Sequence, residues 1–177
     1  MNYSAIKKND IADGEGIRVS LFVSGCTHHC PGCFNECTWP FDSGEPFTEA
    51  VEQEILDALE PSWVDGLTLL GGEPFEPCNQ RGLAPFLRKF HERFPQKDIW
   101  AYTGYLYDRD LQPGGRAFCE VTQEILDGVA VLVDGPFVLA LKDISLKFRG
   151  SSNQRLIDLD ATRRTGQLTL LSEHKGL

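Results

Sequence analysis

The chain has 177 residues, 41% of them hydrophobic, so we predict that residues 1–177 form a single domain with a substantial core. Its formal net charge of −9 disfavours a nucleic-acid partner, because phosphate contacts need clustered Lys and Arg. No segment approaches the roughly 20 apolar residues of a membrane span, and the first residues do not resemble a signal peptide. We therefore expect a cytoplasmic protein with no membrane partner, whose six cysteines are thiols or metal ligands rather than disulfides.

The predicted elements alternate between strands and helices along the chain. Short apolar segments, rich in β-branched residues, predict strands at residues 17–23, 67–70, 99–102 and 129–133. A first helix begins after Thr48, which can cap it, and ends at Pro61. The clearest helix follows the second strand, with an apolar stripe formed by Leu83, Phe86, Leu87, Phe90 and Phe94. A weaker helix is predicted at residues 121–126.

Alternation of this kind, with apolar strands, is typical of parallel crossovers. We therefore predict an α/β fold with a mainly parallel sheet covered by helices. Four groups of unusual residues come directly after a predicted strand: the cysteine loop at residues 26–33, Gly71-Gly72-Glu73, Thr103-Gly104 and Asp134. Because ligands bind at the carboxyl ends of parallel strands, we expect these groups to converge on one rim of the sheet.

The cysteine loop contains Cys26, Cys30 and Cys33, spaced C-x3-C-x2-C. Three thiolates can hold three irons of a cubic [4Fe–4S] cluster and leave the fourth iron open to a substrate. Electron-transfer clusters use four cysteines and close that position. The spacing therefore raises the question of whether this site is open and what would occupy the opening.

Other metal sites fit the loop less well, but the spacing does not eliminate all of them. Haem attachment needs C-x-x-C-H, and Phe34 follows Cys33. Structural zinc usually has two separated C-x2-C pairs, and no second pair exists here. Cys37 could supply a fourth ligand, and His28 or His29 could also ligate. A closed cluster or a zinc site thus stays open at this point.

The cysteine triplet after the first strand, with Gly-Gly-Glu-Pro after the second, resembles the radical S-adenosylmethionine (SAM) superfamily. The resemblance implies a partial, open β/α barrel. It also implies a [4Fe–4S] cluster with Cys26, Cys30 and Cys33 as its three ligands, without Cys37. The open iron would chelate SAM, and reductive cleavage of SAM would give a 5′-deoxyadenosyl radical, which the protein positions.

The resemblance also indicates which residues contact SAM. Paired glycines let the backbone approach a ligand, and a Glu carboxylate can accept hydrogen bonds from the SAM ammonium group. Many superfamily members carry an aromatic residue before the third cysteine, whereas this chain has Gly32, which moves the expected aromatic contact to Phe34. Asn35 could bind SAM or form an Asx turn. The predicted cofactor contacts are Gly32, Phe34, Asn35, Gly71, Gly72 and Glu73, with Thr103 and Asp134 as contacts to SAM or to a monovalent cation.

A narrower resemblance comes from further motifs spread over residues 3–157. Asp13-Gly14-Glu15-Gly16-Ile17-Arg18 resembles the D-G-P-G-I-R element of glycyl-radical-enzyme activases, with Glu15 in place of proline. Together with residues 149–155, these motifs resemble the activases of anaerobic ribonucleoside-triphosphate reductases. Without the resemblance, residues 149–155 would be interpreted as a polar loop, although their amide and guanidinium groups could bind a peptide backbone or a carboxylate.

The resemblance implies an oxidoreductase whose protein substrate is an anaerobic ribonucleoside-triphosphate reductase, on which it generates a glycyl radical. An external one-electron donor such as flavodoxin is expected, because the sequence has no second cluster motif. Two alternatives within the same chemistry are a radical SAM enzyme for a small molecule and an activase for another glycyl-radical enzyme. An alternative of another class is a non-catalytic module in which Cys37 completes a zinc site or a closed cluster.

Overall fold

The structure, a computed structural model, describes residues 1–172, so the last five residues of the predicted domain lie outside the described residues. The strands within this range are β1 (Asn2–Asp10), β2 (Arg18–Val23), β3 (Glu45–Pro46), β4 (Gly66–Gly71), β5 (Asp98–Tyr102), β6 (Val131–Asp134) and β7 (Arg155–Asp158). The α-helices are α1 (Glu49–Leu59), α2 (Pro77–Arg93), α3 (Thr122–Gly128) and α4 (Leu159–Thr165).

All seven strands belong to one sheet, in the order β3-β1-β2-β4-β5-β6-β7. The pairs β2–β4, β4–β5 and β5–β6 are parallel, whereas β1–β2, β1–β3 and β6–β7 are antiparallel. The prediction of a partial barrel with a mainly parallel sheet is therefore wrong. Within the described residues the sheet is mixed, with antiparallel strands at both of its edges.

The sheet was predicted as mainly parallel because the sequence gives no clear signal for two antiparallel strands, β1 and β7. β1 has the burial pattern of an edge strand, with most of its side chains partly or fully exposed, so it lacks an apolar signal. β7 begins inside the segment that resembled a polar loop. Both strands are held by backbone pairing to a neighbour, at β2 and β6 respectively, rather than by apolar periodicity.

The core lies against the central strands. β2 and β6 are buried along their whole length, and β4 along all but its last residue, which explains why their sequences read as apolar runs. The apolar stripe predicted for α2 is buried in this core, as expected for side chains at helical spacing. Each such side chain stabilises the fold by roughly 1.5–3 kcal/mol relative to an exposed one.

A buried arginine joins the amino ends of the parallel strands. The Arg18 guanidinium donates to Thr68 Oγ1 at 2.8 Å and to the Leu67 carbonyl at 2.9 Å. It also pairs with the Asp98 carboxylate at 2.5 Å. Because a buried charge is costly unless it is paired, these contacts fix β2, β4 and β5 in register at the end opposite the predicted rim. Within residues 1–172 no helix has the length and apolar content needed to cross a membrane.

Candidate active site

The cysteine loop follows β2 at the carboxyl end of the parallel strands. Cys26 is buried, Cys30 and Cys33 are partly buried, and Cys37 is exposed. The first three thiols line one cavity of about 580 Å³, and Cys37 does not line it. The structure therefore brings together the three predicted ligands and leaves the fourth cysteine outside.

The Gly71-Gly72 turn packs directly against the end of β2. Gly71 has a φ of +105°, and a Cβ added to it would lie 2.7 Å from the Phe22 Cα. A Cβ on Gly72 would lie 2.6 Å from the Gly25 carbonyl oxygen. The backbone N–H of Glu73 donates to that same carbonyl at 2.8 Å. The two glycines are therefore required for close contact between this turn and the start of the cysteine loop.

The Glu73 carboxylate is 1% exposed, yet it lines the cavity. Its Oε1 accepts from the Phe75 backbone N–H at 2.9 Å, and its Oε2 accepts from the Gly104 backbone N–H at 2.7 Å. The His28 Nε2 lies 3.0 Å from the same Oε2. These contacts fix the direction of the carboxylate and join the cysteine loop to the turns after β4 and β5.

Thr103 and Gly104 follow β5 and line the same cavity, as predicted. The Thr103 Oγ1 accepts from the Tyr105 backbone N–H at 3.1 Å, which tightens the turn. A Cβ on Gly104 would lie 2.6 Å from the His28 ring, so the absence of a side chain makes room for that histidine. The turn therefore shapes the site mainly through the backbone of Gly104, and less through its side chains.

Phe34 and Asn35 also line the cavity, whereas Gly32 does not. Gly32 has a φ of +73°, and a Cβ on it would lie 2.9 Å from the Leu139 side chain. The Asn35 backbone N–H lies 3.4 Å from the Cys33 sulfur, to which it donates. Hydrogen bonds to cysteine sulfur are one of the features that set the potential of an iron–sulfur cluster.

Asp134, like Gly32, is a predicted contact that does not line the cavity. Its side chain is fully buried. The Arg155 guanidinium donates to both of its oxygens, at 2.8 Å from Nε and 2.5 Å from Nη2. The Tyr107 backbone N–H completes the set at 2.8 Å. Its carboxylate is therefore already occupied by contacts within the fold.

Sequence reasoning missed the residues that support the cysteine loop from α2. The Glu76 carboxylate accepts from the Thr27 backbone N–H at 2.8 Å and from its hydroxyl at 2.5 Å. The Asn79 amide donates to the Ser24 carbonyl at 3.0 Å and to the Glu73 carbonyl at 2.9 Å. A second carboxylate three residues after Glu73, at the start of a helix, was the available signal.

Asp13, which the sequence singled out only as part of a motif, lines the cavity wall beside β1. Burial, together with the neighbouring Asp10 carboxylate, raises the pKa of this carboxyl to about 7. Lys7, 4.0 Å away, acts in the opposite direction. Burial acts to raise the pKa of Asp10, but hydrogen bonds, among them the one from the Ala12 backbone N–H at 3.0 Å, and the charge of Lys7 lower it overall. The two neighbouring carboxyls therefore have pKa values shifted in opposite directions.

The protonation state of the thiols depends on whether a metal is bound. Burial, together with the charges of Glu73 and Glu76, raises the pKa of the Cys26 thiol to about 12, so without a cation this thiol is neutral. Burial also raises the pKa of Cys30. A thiolate at these positions needs a cation close by, and a metal ion supplies one because it deprotonates a coordinating thiol outright. Three such thiols on one cavity match the donor set of an iron–sulfur cluster.

Comparison with known proteins agrees with this chemistry. A family model described as a 4Fe-4S single cluster domain matches residues 12–157 of the chain. The matched range includes the cysteine loop, the turns after β4 and β5, and residues 149–155.

Curated proteins are similar to the chain over nearly its whole length. A protein of Escherichia coli strain K12 is 42% identical over 156 residues, which cover 87% of this chain and 96% of that protein. A protein of Haemophilus influenzae is also 42% identical, with the same coverage. A protein of Enterobacteria phage T4 is 40% identical over 88% of this chain and 93% of its own length. Each of the three is named anaerobic ribonucleoside-triphosphate reductase-activating protein.

Proposed function

Since the chain belongs to the family of anaerobic ribonucleoside-triphosphate reductase-activating proteins, we propose that it is the activase of such a reductase. In this proposal it is an oxidoreductase that generates a glycyl radical on its protein substrate by reductive cleavage of SAM. The observation that carries the proposal is the single cavity lined by Cys26, Cys30, Cys33 and the two turns that follow β4 and β5.

The cluster would be held by Cys26, Cys30 and Cys33. Cys37 is exposed and outside the cavity, which supports three cysteine ligands and an open fourth iron. When bound, such a cluster supplies the single electron that splits the S–C5′ bond of SAM. The protein's part is to hold the thiolates, orient SAM and limit the access of water.

SAM would lie against the Gly71-Gly72-Glu73 turn. The glycines expose backbone groups at close range, and the Glu73 carboxylate is fixed in direction by its three hydrogen bonds. Its negative charge is suited to the SAM ammonium group. Thr103, Phe34 and Asn35 line the same cavity and complete the predicted contact surface.

Further parts of the proposal concern partners and location. The single-cluster family model supports one cluster, so the electron must come from an external donor, for which a flavodoxin is suitable. We place the activity in the cytoplasm, where thiols stay reduced. The net charge of −9 gives no basis for a nucleic-acid partner.

The proposal is tested by electron paramagnetic resonance (EPR) of the anaerobically reconstituted and reduced protein, with and without SAM. We expect a [4Fe–4S] signal that changes on addition of SAM, because an open iron can bind it. Cys30→Ala should lose both the cluster and SAM cleavage, whereas the matched variant Cys37→Ala should keep both. Loss of the cluster in Cys37→Ala, or a signal that SAM does not alter, would overturn the open-site proposal.

A further inference from the structure

The segment between β6 and β7 crosses the mouth of the cavity. We call residues 136–150 the strap. At one end its Phe137 ring lies 5.5 Å from the Phe34 ring, beside the cysteine loop. At the other end its Phe148 ring lies 5.2 Å from the Trp100 ring of β5. The strap therefore spans the mouth from the cysteine loop to the face of the sheet.

The strap is fixed at its base by the polar residues that follow it. Gln154 accepts from the backbone N–H groups of Gly150 and Ser151, at 2.9 and 3.1 Å, and donates to the Gly135 carbonyl at 3.1 Å. Asn153 donates to the Pro136 carbonyl at 2.8 Å. These side chains join the two ends of the strap to each other. The motif at residues 149–155 thus acts within the fold, as a clasp.

The strap and the cysteine loop expose four large apolar residues, which we call the rim patch: Phe34, Leu139, Leu141 and Ile144. Phe34 and Ile144 line the cavity. Leu139 lies against the cysteine loop, where a Cβ on Gly32 would be 2.9 Å from it, and Leu141 is two residues further along the strap. Their exposed fractions are 68% for Phe34, 53% for Leu139, 44% for Leu141 and 93% for Ile144. Clustered exposure of this kind, in contrast to scattered single residues, is typical of a surface that binds another protein.

The size of the cavity indicates what covers the rim patch. A cavity of about 580 Å³ is in the range of small-molecule sites. A folded protein can therefore insert only a short loop beside SAM, and the surface around that loop must rest on the rim. A small-molecule substrate would fit inside the cavity and would leave the rim patch uncovered.

We propose that the rim patch is the docking surface for the reductase, in contact with the residues that flank its reactive glycine. The inference rests on the proposed function and adds to it the face that binds the partner. The clasp contributes by holding Leu139, Leu141 and Ile144 in place before the partner arrives. A surface that is already ordered loses less conformational entropy on binding.

A matched control lies at the other end of the sheet. Trp63 is 63% exposed and precedes β4, at the amino end of the parallel strands. It has the size and exposure of the rim residues but lies away from the cavity mouth. Replacing it by serine therefore removes exposed apolar area without altering the proposed docking surface.

The test uses the reconstituted full-length protein and the reductase from the same organism, under anaerobic conditions. The Leu139→Ser/Leu141→Ser double variant changes two exposed side chains that do not line the cavity. It should bind the reductase at least tenfold more weakly in biolayer interferometry, as expected for central contacts of an interface. Its iron content and its dithionite-driven SAM cleavage without reductase should match the wild type. Leu141→Ser alone should show a smaller loss of affinity in the same direction. Trp63→Ser should bind like the wild type.

The outcomes separate this inference from the proposed function. Wild-type affinity in the double variant, or an equal loss of affinity in Trp63→Ser, would overturn the docking surface while SAM cleavage and radical formation persist. A wild-type protein that neither cleaves SAM nor binds the reductase would overturn the proposed function, and the docking surface with it.

Discussion

The rim of the sheet has two halves, and the carboxylates of these halves have different partners. In the first half, after β2 and β4, Glu73 faces the cavity, and the ion pairs of residues 1–172 give it only His28 as a partner. In the second half, after β6, Asp134 lies behind the cavity and pairs with the Arg155 guanidinium at 2.5 Å. Both carboxylates come at the end of a parallel strand, yet only the first remains available to a ligand.

The difference shows that position at a strand end is not sufficient for a binding role. A carboxylate neutralised by arginine contributes to the fold, because its charge is already paired. One held by backbone N–H groups keeps its charge for a ligand while its direction is fixed. Changes in the second half should therefore alter stability, and changes in the first half should alter SAM binding.

The largest expected effect is a loss of stability when the ion pair between Asp134 and Arg155 is removed. Arg155→Met would leave Asp134 buried without its cation, so we expect the free energy of unfolding to fall by about 3 kcal/mol. The free energy of unfolding is measured by urea unfolding at pH 7. Arg81→Met, which breaks an exposed pair with Glu120, should cost less than about 1 kcal/mol. Equal losses in the two variants would show that the burial of Asp134 carries no special cost.

A third carboxyl group, Asp13, extends the comparison because it faces the cavity with a raised pKa. Its folded-state pKa of about 7 exceeds its ordinary value of 3.8, so its contribution to stability is fully present below about pH 4 and is lost as pH rises through 7. Relative to Asp13→Asn, the wild type should lose on the order of 1–3 kcal/mol between pH 4 and 8. Parallel stability–pH curves for the two proteins would contradict the raised pKa of Asp13.

The smallest effect is expected when Glu73, in the first half of the rim, is changed. It concerns the affinity for SAM rather than the stability of the fold. Glu73→Gln removes the charge but keeps the shape, so SAM should bind about tenfold more weakly, which corresponds to about 1.4 kcal/mol. Equilibrium dialysis against the reconstituted protein measures this, with iron content as the check on cluster assembly. The matched variant Asp134→Asn should change SAM affinity by no more than about twofold. Similar losses in both variants would remove the distinction between the two halves.

The sequence predicted which residues come together at one rim better than it predicted the topology of the sheet. The spacing of Cys26, Cys30 and Cys33 is local, and the turns after two apolar strands could be placed on one rim, so their convergence on one cavity was predictable. Asp134 could not be separated from Glu73, because its partner Arg155 lies 21 residues away and no local pattern links them.

The antiparallel edges of the sheet were missed for a related reason. β1 has few buried side chains and is defined by its backbone pairing with β2. β7 pairs with β6 across the whole strap, and its four residues carry a single fully buried side chain, Ile157. Such strands are determined by the partner that they meet, which a pattern within one short segment does not record.

The contacts that hold the cysteine loop determine when the loop can form during synthesis of the chain. Its conformation depends on Glu76 and Asn79, about 50 residues further along the chain, and the adjoining carboxylate of Glu73 depends on Gly104. During synthesis the cysteines leave the ribosome well before these residues, so the loop can reach its final conformation only after the turn at Gly104 has been made. For the proposed cluster, we therefore expect iron and sulfide to be bound after that point.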